Sequence, residues 1–254
     1  MKNSIFILVT IYCGCLASCK KQAVADSQQM FIEDKAMVNT ISFSGYNWKV
    51  KHSPSEKIGP GPNYWAKQNV WLDAQGHLHL KLRKYQNKWY CAELQSADSF
   101  GMGSWQWQIE GRIDLLDKNV VFGLFNYSGN DGFDEMDIEF ARWGNASNPN
   151  LNYTVWPAQA GNTNFSFTQN FLLSGTYTTH RFTRSTNAVV FKSLYGFYDD
   201  DSNLFATATC TAPPKSISQK KMPAFINLWM FQGRVPTNAA SVEIVVHSFK
   251  YTPS

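Results

Sequence analysis

From about residue 39 onward the chain reads as strands, many with apolar and polar residues alternating at a period of two, the repeat of a strand with one face buried and the other in water. The stretches "HLHLKLR" (77–83), "GSWQWQIEGRID" (103–114), "NVVFGLFNYS" (119–128), "EMDIEFARW" (135–143) and "LNYTVWP" (151–157) alternate or are rich in β-branched and aromatic residues. "HRFTRS" (180–185), "AVVFKSLYG" (188–196), "AFINLWMF" (224–231) and "SVEIVVHSFKY" (241–251) continue the pattern. Gly, Asn, Asp and Pro punctuate between them, as in "GPGPN", "DAQG", "YSGNDG" and "WGNASNPN". Only "TQNFLLSG" near residue 170 reads as a helical turn. About a dozen strands without crossover helices predict an all-β fold, an antiparallel β-sandwich of jelly-roll type. The 254 residues, 44% hydrophobic, can bury one sizeable core, and no internal repeat or second domain is visible.

The N-terminus reads differently. "MKNSIFILVTIYCGCLASC" has a basic Lys2 and then an apolar run of signal-peptide length, too short to span a bilayer. Its end, Leu16, Ala17, Ser18 and Cys19, resembles a bacterial lipobox, which implies cleavage before Cys19 and lipid on that residue. An ordinary secretory signal ending near Ala25 is the alternative. The lipobox reading makes residues 1–18 a signal peptide, 19–38 a tether and 39–254 the folded domain. Acyl chains then hold that domain at a membrane of the bacterial cell envelope. With Cys19 acylated, Cys91 and Cys210 remain, and whether they pair is open.

Composition narrows the partners. The formal charge of +4 is small and Lys and Arg are scattered, so nucleic acid is not expected. Aromatic residues reach 15% against 17% charged, which suits stacking on neutral rings and equally suits a large β-core. No Cys-x-x-Cys or His-x-x-x-His spacing supports a zinc site. His77 and His79 share one strand face, where a solvated edge is the better reading. A monomer is expected.

One strand needs a separate explanation. In "DGFDEMDIEF" (131–140), Glu135, Asp137 and Glu139 alternate with Met136, Ile138 and Phe140, so all three carboxylates leave one face of the sheet. Like charges that close repel, and folding alone gives no reason to put them there. A solvated face or a calcium-binding cluster are the plain readings. The chemical one is a carboxylate pair. Glu135 and Glu139 have Cα atoms about 13 Å apart at strand rise, but long side chains leaning inward can approach the roughly 5–5.5 Å of a retaining glycosidase. Asp137 between them couples their titrations and helps keep one Glu protonated while the other stays ionised.

Here the sequence resembles a known family. "DEMDIEF" is similar to the Glu-x-Asp-x-Glu signature of glycoside hydrolase family 16, in the uninterrupted form of lichenases and xyloglucan endotransglycosylases. "YCAELQSADSFGMGSWQWQIEGRID" (90–114) resembles the strand pair leading to the family's catalytic region, and "AFINLWMF" its Asn-Leu-Trp strand. "HRFTRSTNAVVFKSLYG" (180–196) stands in the place of its later hairpin, and the resemblance covers roughly residues 60–252. It implies a concanavalin A-like sandwich and a polysaccharide or oligosaccharide partner, with no metal or organic cofactor.

By the same resemblance Glu135 is the nucleophile, Glu139 the general acid and base, and Asp137 the residue that adjusts their charges. Glu93, Asn227 and Trp229 fall on substrate-contacting positions. Trp156 shares the face of Thr154 and reads equally as substrate contact or core, whereas Trp105 and Trp107 read as core. Departures touch the cleft: Phe133 stands for a Trp, which keeps stacking but loses a donor, and Gln95 for an Arg. Arg184 replaces a Trp of the later hairpin, and His247 takes the place of an Asp that helps bind structural calcium, so no calcium site is predicted. The implied activity is retaining, endo-acting hydrolysis of a β-linked polysaccharide, β-glucan first, with xyloglucan and galactan open. Transglycosylation, or glycan binding without turnover on the same sandwich, are the alternatives.

Overall fold

The computed structural model describes residues 40–254, so the signal, the tether and Cys19 lie outside the described residues. Seventeen strands follow in order. They are β1 (Thr40–Phe43), β2 (Tyr46–Val50), β3 (Ser53–Ile58), β4 (Asn63–Trp65), β5 (Val70–Leu72), β6 (Leu78–Tyr85), β7 (Lys88–Phe100), β8 (Gly103–Glu110) and β9 (Val120–Tyr127). Then come β10 (Glu135–Ala141), β11 (Leu151–Trp156), β12 (Phe165–Gln169), β13 (Tyr177–Arg184), β14 (Ala188–Tyr195), β15 (Leu204–Thr211), β16 (Met222–Met230) and β17 (Val242–Pro253). Single 3-10 turns at Lys67–Asn69, Ile113–Leu115 and Phe231–Gly233 are the helical content of the described residues.

The strands form a jelly-roll sandwich of two antiparallel sheets. The front sheet runs β1-β2-β7-β16-β9-β10-β11-β12. The back sheet runs β5-β6-β17-β8-β13-β14-β15. Strand β7 belongs to both. Its first residues pair with β6, and from Ala92 onward it pairs with β16. The exception to antiparallel pairing is short β4, which lies parallel to β7.

Alternation explains which face each sheet buries. Between the sheets lie Trp48, Trp105, Trp107, Phe122, Phe140, Phe182 and Phe191, all fully buried. Trp105 stacks on Phe182 with ring centroids 5.3 Å apart, so the core reading of Trp105 holds, and Trp107 lies beside them at 5.7 Å from Phe182. On β10, Met136, Ile138 and Phe140 are fully buried, which turns the acids outward. Cys91 on β7 and Cys210 on β15 are both buried free thiols and form no disulfide.

The helical turn expected at "TQNFLLSG" is absent. Thr168 and Gln169 end β12, and residues 170–175 are irregular. The backbone groups that a helix would pair internally find side chains instead. Asn150 Oδ1 accepts from Phe171 N at 2.9 Å and its Nδ2 donates to Phe171 O at 3.0 Å, while Leu173 N donates to Asp114 Oδ2 at 3.0 Å. Phe171 and Leu173 are buried while Leu172 is 69% exposed, so the segment keeps a strand-like alternation without a strand partner. The extra strands beyond a dozen are mostly short or polar, such as β3, β4 and β5.

Asn150 also donates to Asp114 O at 3.0 Å, and it is itself buried. Asn150→Ala strands buried backbone groups of Phe171 without partners, a loss of about 2–4 kcal/mol. Urea denaturation checks this; a loss under about 0.5 kcal/mol, the size of an ordinary surface change, refutes the account of this segment.

Candidate active site

Register across the front sheet lines up side chains from distant parts of the chain. One row reads Asn152, Glu139, Gly123, Asn227 and Glu93 from β11 to β7. The next reads Thr154, Asp137, Phe125, Phe225, Gln95 and Lys49, ending on β2. A third begins with Trp156, Glu135 and Tyr127. All point away from the core. From β10 to β2, Glu135, Asp137, Glu139, Phe125, Tyr127, Phe225, Asn227, Glu93, Gln95 and Lys49 line an open cleft of about 1080 Å³, walled at the β2 end by Lys51, Gly59, Pro60 and Gly61 and flanked by Trp229.

The three acids share this cleft, and their environment favours protons. Burial pushes Glu135 up to about 7, opposed by a hydrogen bond with Asp137 and aided by the charge of Asp131. Burial and then the charge of Glu135 push Glu139 up to about 8. Asp137, 4% exposed, is raised well above the ordinary aspartate value by burial, by the charges of both glutamates and by its hydrogen bond to Glu135. Trp156 Nε1 donates to Asp137 Oδ2 at 3.0 Å, which works in the opposite direction. The pattern makes Asp137 a proton holder that donates to Glu135. The charge of Glu139 is among the causes that raise Asp137, so ionisation of either one opposes ionisation of the other.

Beside the acids lies a second polar chain. Lys51 Nζ donates to Glu93 Oε1 at 2.7 Å and to Gly59 O at 2.6 Å, and sits 4.3 Å above the Trp65 ring centroid. Asn227 Nδ2 donates to Glu93 Oε2 at 3.2 Å. Burial raises Glu93 despite Lys51, whose charge and hydrogen bond pull it down. Gly123 makes room for this arrangement, since a Cβ there would lie 2.6 Å from Asn227 Oδ1. Asn227 Oδ1 and Trp229 Nε1 are buried and have no hydrogen-bond partner among the described residues.

Of the residues singled out in the sequence, Glu93, Gln95, Glu135, Asp137, Glu139, Asn227 and Trp229 meet along the cleft. Trp156 is half-buried and acts on Asp137 rather than lining the cleft. Phe133 is half-buried in the turn before β10, where its N–H donates to Asn130 O, and it does not line the cleft. Sequence reasoning missed Lys51, Gly123, Phe125, Tyr127 and Phe225. Gly123 carried a readable signal, because a glycine inside a strand marks a close approach. Phe125 and Phe225 stack 4.9 Å apart on the cleft floor, and Tyr127 Oη donates to Asp131. Among the described residues no group of three or more His, Cys, Asp or Glu is placed to hold a metal ion.

No family model matches the chain, and no curated protein sequence matches it. Solved structures do. A Bacillus licheniformis beta-glucanase superposes with TM-score 0.63 and 20% identity, covering 86% of this chain and 100% of that one. A pseudo beta-1,3-glucanase and immunostimulatory antigen of Mycobacterium tuberculosis gives 0.62 and 19%, covering 82% and 91%. A glycoside hydrolase family 16 endo-glucanase from Bacteroides ovatus, in complex with G4G3G-2F-DNP, gives 0.59 and 15%, covering 81% and 94%. The chain has the jelly-roll fold of these proteins.

The raised acids give a pH signature. A Glu139 that holds its proton to about 8, against an ordinary 4.5, costs nothing below pH 4.5, where folded and unfolded chains are both neutral there. Between those values the unfolded chain ionises first, so stability falls as pH rises, and the full cost is reached above pH 8. Glu139→Gln never ionises and escapes it. The variant should match the wild type in stability near pH 4 and exceed it by about 1–3 kcal/mol near pH 9, partial solvent access having been discounted. Thermal unfolding at both pH values checks this, and an equal difference at the two contradicts the assigned shift.

Proposed function

We propose that the chain is a retaining, endo-acting β-glycanase of the glycoside hydrolase family 16 type, with β-glucan as its first substrate class. The observation that carries this reading is the alternating acid triplet on one strand of an open cleft, each carboxyl raised by burial. The fold shared with the beta-glucanases supports it. Glu139 donates its proton to the glycosidic oxygen while Glu135 attacks the anomeric carbon, giving a glycosyl-enzyme and a free leaving sugar. Glu139, now ionised, takes a proton from water, which attacks the same carbon and releases Glu135 with configuration retained. Burial and the charge of Glu135 raise Glu139, which favours the protonated form that its opening role as acid requires. Asp137 donates to Glu135 and so favours the ionised nucleophile.

The N-terminal reading joins this one. Lipid on Cys19 tethers the cleft to the bacterial cell envelope, through residues 19–38, where polymeric glycans pass. The M. tuberculosis pseudo beta-1,3-glucanase keeps a second reading in view, a glycan-binding protein on the same fold without turnover. A panel of soluble polysaccharides, with reducing-end release and product sizing, separates the two and also identifies any sugar acceptor that competes with water. Glu135→Gln should fold normally and lose hydrolysis by at least about 10³-fold, as removal of a nucleophile does. Near-normal turnover in that variant dismisses Glu135 as nucleophile.

Asp137→Asn tests the proton assignment. A protonated Asp137 carries no charge, so Asn replaces one neutral donor by a weaker one at nearly constant shape. The alkaline limb of kcat, set by Glu139, should stay in place. The acid limb, set by ionisation of Glu135, should move up, with kcat about tenfold lower, the scale of one weakened hydrogen bond to a charged group. An alkaline limb that shifts downward instead would mean that Asp137 acts through a negative charge.

A further inference from the structure

The cleft is electrically uneven. At its β9–β10 end stand Glu135, Asp137 and Glu139, with Asp131 held by Tyr127. At its β2 end stand Lys49 and Lys51. Lys51 is committed to Glu93, the Gly59 carbonyl and the Trp65 ring. Lys49 is exposed, lines the cleft, and has no ion pair, hydrogen bond or ring contact among the described residues. It stands opposite Gln95 on β7 and Thr40 on β1, both uncharged.

Distance decides whether the acids cancel this charge. Lys49 lies four strands from Asp137 along one row, about 19 Å at the usual strand spacing. The screening length at physiological salt is about 8 Å, so the acids do not neutralise the field above Lys49. Between the two ends the row offers Phe125, Phe225 and Gln95. A charged substituent over the stacked phenyl rings loses water and gains no partner. Over the acids it is repelled. At Lys49 it meets a free ammonium, with the Gln95 amide beside it.

We infer that the cleft takes a glycan carrying an acidic substituent, a carboxylate or a sulfate ester, on the sugar that lies over Lys49, several units from the bond that is cleaved. The sugars over the aromatic floor and the acids are neutral. This rests on the glycanase reading in one respect, that the cleft is a glycan site. An ammonium binds either anion as a point charge, so the chemistry is shared and the test must separate the sources.

The probes are soluble β-glucan, the same polymer lightly oxidised at C6 to uronate, and the same polymer lightly sulfated at C6. Light substitution leaves neutral runs for the rest of the cleft. Binding is read by titration calorimetry in the full chain carrying Glu135→Gln, which keeps the polymer intact. One or both acidic polymers should bind about three- to five-fold tighter than the neutral one, the scale of one exposed ion pair. Adding Lys49→Ala should bring that ratio to one, as should about 1 M salt, where screening shrinks to ~3 Å. Preference for the uronate polymer alone assigns a carboxylate, and for the sulfated polymer alone a sulfate. Equal binding of all three polymers overturns the inference, and so does a ratio that survives Lys49→Ala. Hydrolysis by the wild type is read separately. Turnover without an acidic preference removes this inference and keeps the glycanase, whereas a Lys49-dependent preference without turnover removes the glycanase and keeps the inference. Absence of binding and turnover for every polymer overturns both.

Discussion

The cleft depends on the register of β10 between β9 and β11. Met136, Ile138 and Phe140 are driven into the core, where Phe140 packs against Phe122, Phe171 and His180 at centroid separations of 5.8, 5.8 and 4.7 Å. A slip of one residue would put those three side chains in water and three carboxyls between the sheets. Each uncompensated buried charge costs several kcal/mol, so the core side of the strand enforces the chemistry of its open side. The same pairing sets Phe125 and Tyr127 beside Asp137 and Glu135, and through β16 it brings Asn227 to Gly123. Residues near 93, 123, 139 and 227 thus meet in one row because hydrogen-bond ladders, not sequence proximity, fix their places.

That register leaves the protein with an electrostatic burden at the site. Three acids with raised values weaken the folded state wherever they are forced to ionise. The fold answers locally. Trp156 donates to Asp137 and satisfies it, while burial, the neighbouring glutamates and its own hydrogen bond to Glu135 keep it neutral. Glu93, the other buried carboxyl of the cleft, is raised by burial too, but a cation at 2.7 Å and an amide donor oppose the rise and fix its orientation.

How much of this was legible in the sequence follows from the range of each interaction. The acid triplet and the two-residue period of β8, β9, β10 and β17 are local, and the strands and the sandwich followed from them. The aromatic floor was not, because nothing in "GLFNYS" or "AFINL" says that Phe125 and Phe225 are neighbours until β9 and β16 are paired. Lys51 reaches Glu93 across 42 positions of chain and left no local trace. The segment after β12 was misread because Asn150 and Asp114, distant in sequence, supply the partners that a helical turn would have supplied itself. Trp156 was placed on the correct face, but only geometry distinguishes stacking on a sugar from donating to Asp137.

The departures from the resembled family have physical consequences that can be traced. Arg184, fully buried, aims at carbonyls rather than at a carboxylate: Phe100 O at 3.4 Å, Ser218 O at 3.3 Å and Lys220 O at 2.8 Å. Burial lowers its value to about 10, so it remains charged at neutral pH, held by main-chain dipoles. By gripping residues 218–220 it fixes the backbone from which Lys220 reaches the buried carboxylate of Asp134. Asp134 immediately precedes Glu135, and its N–H donates to Pro157 O at 3.1 Å, just beyond Trp156. A buried arginine on β13 is thereby linked, through one loop and one ion pair, to the start of β10. His247 shows the other kind of replacement. It binds Glu110 at 2.7 Å and lies 4.0 Å from His77 between ring centroids, so the residue that stands in place of an acid is taken up by side-chain contacts. Arg184 and His247 are thus both engaged within the sandwich, and neither hydrogen-bonds to Glu135, Asp137 or Glu139.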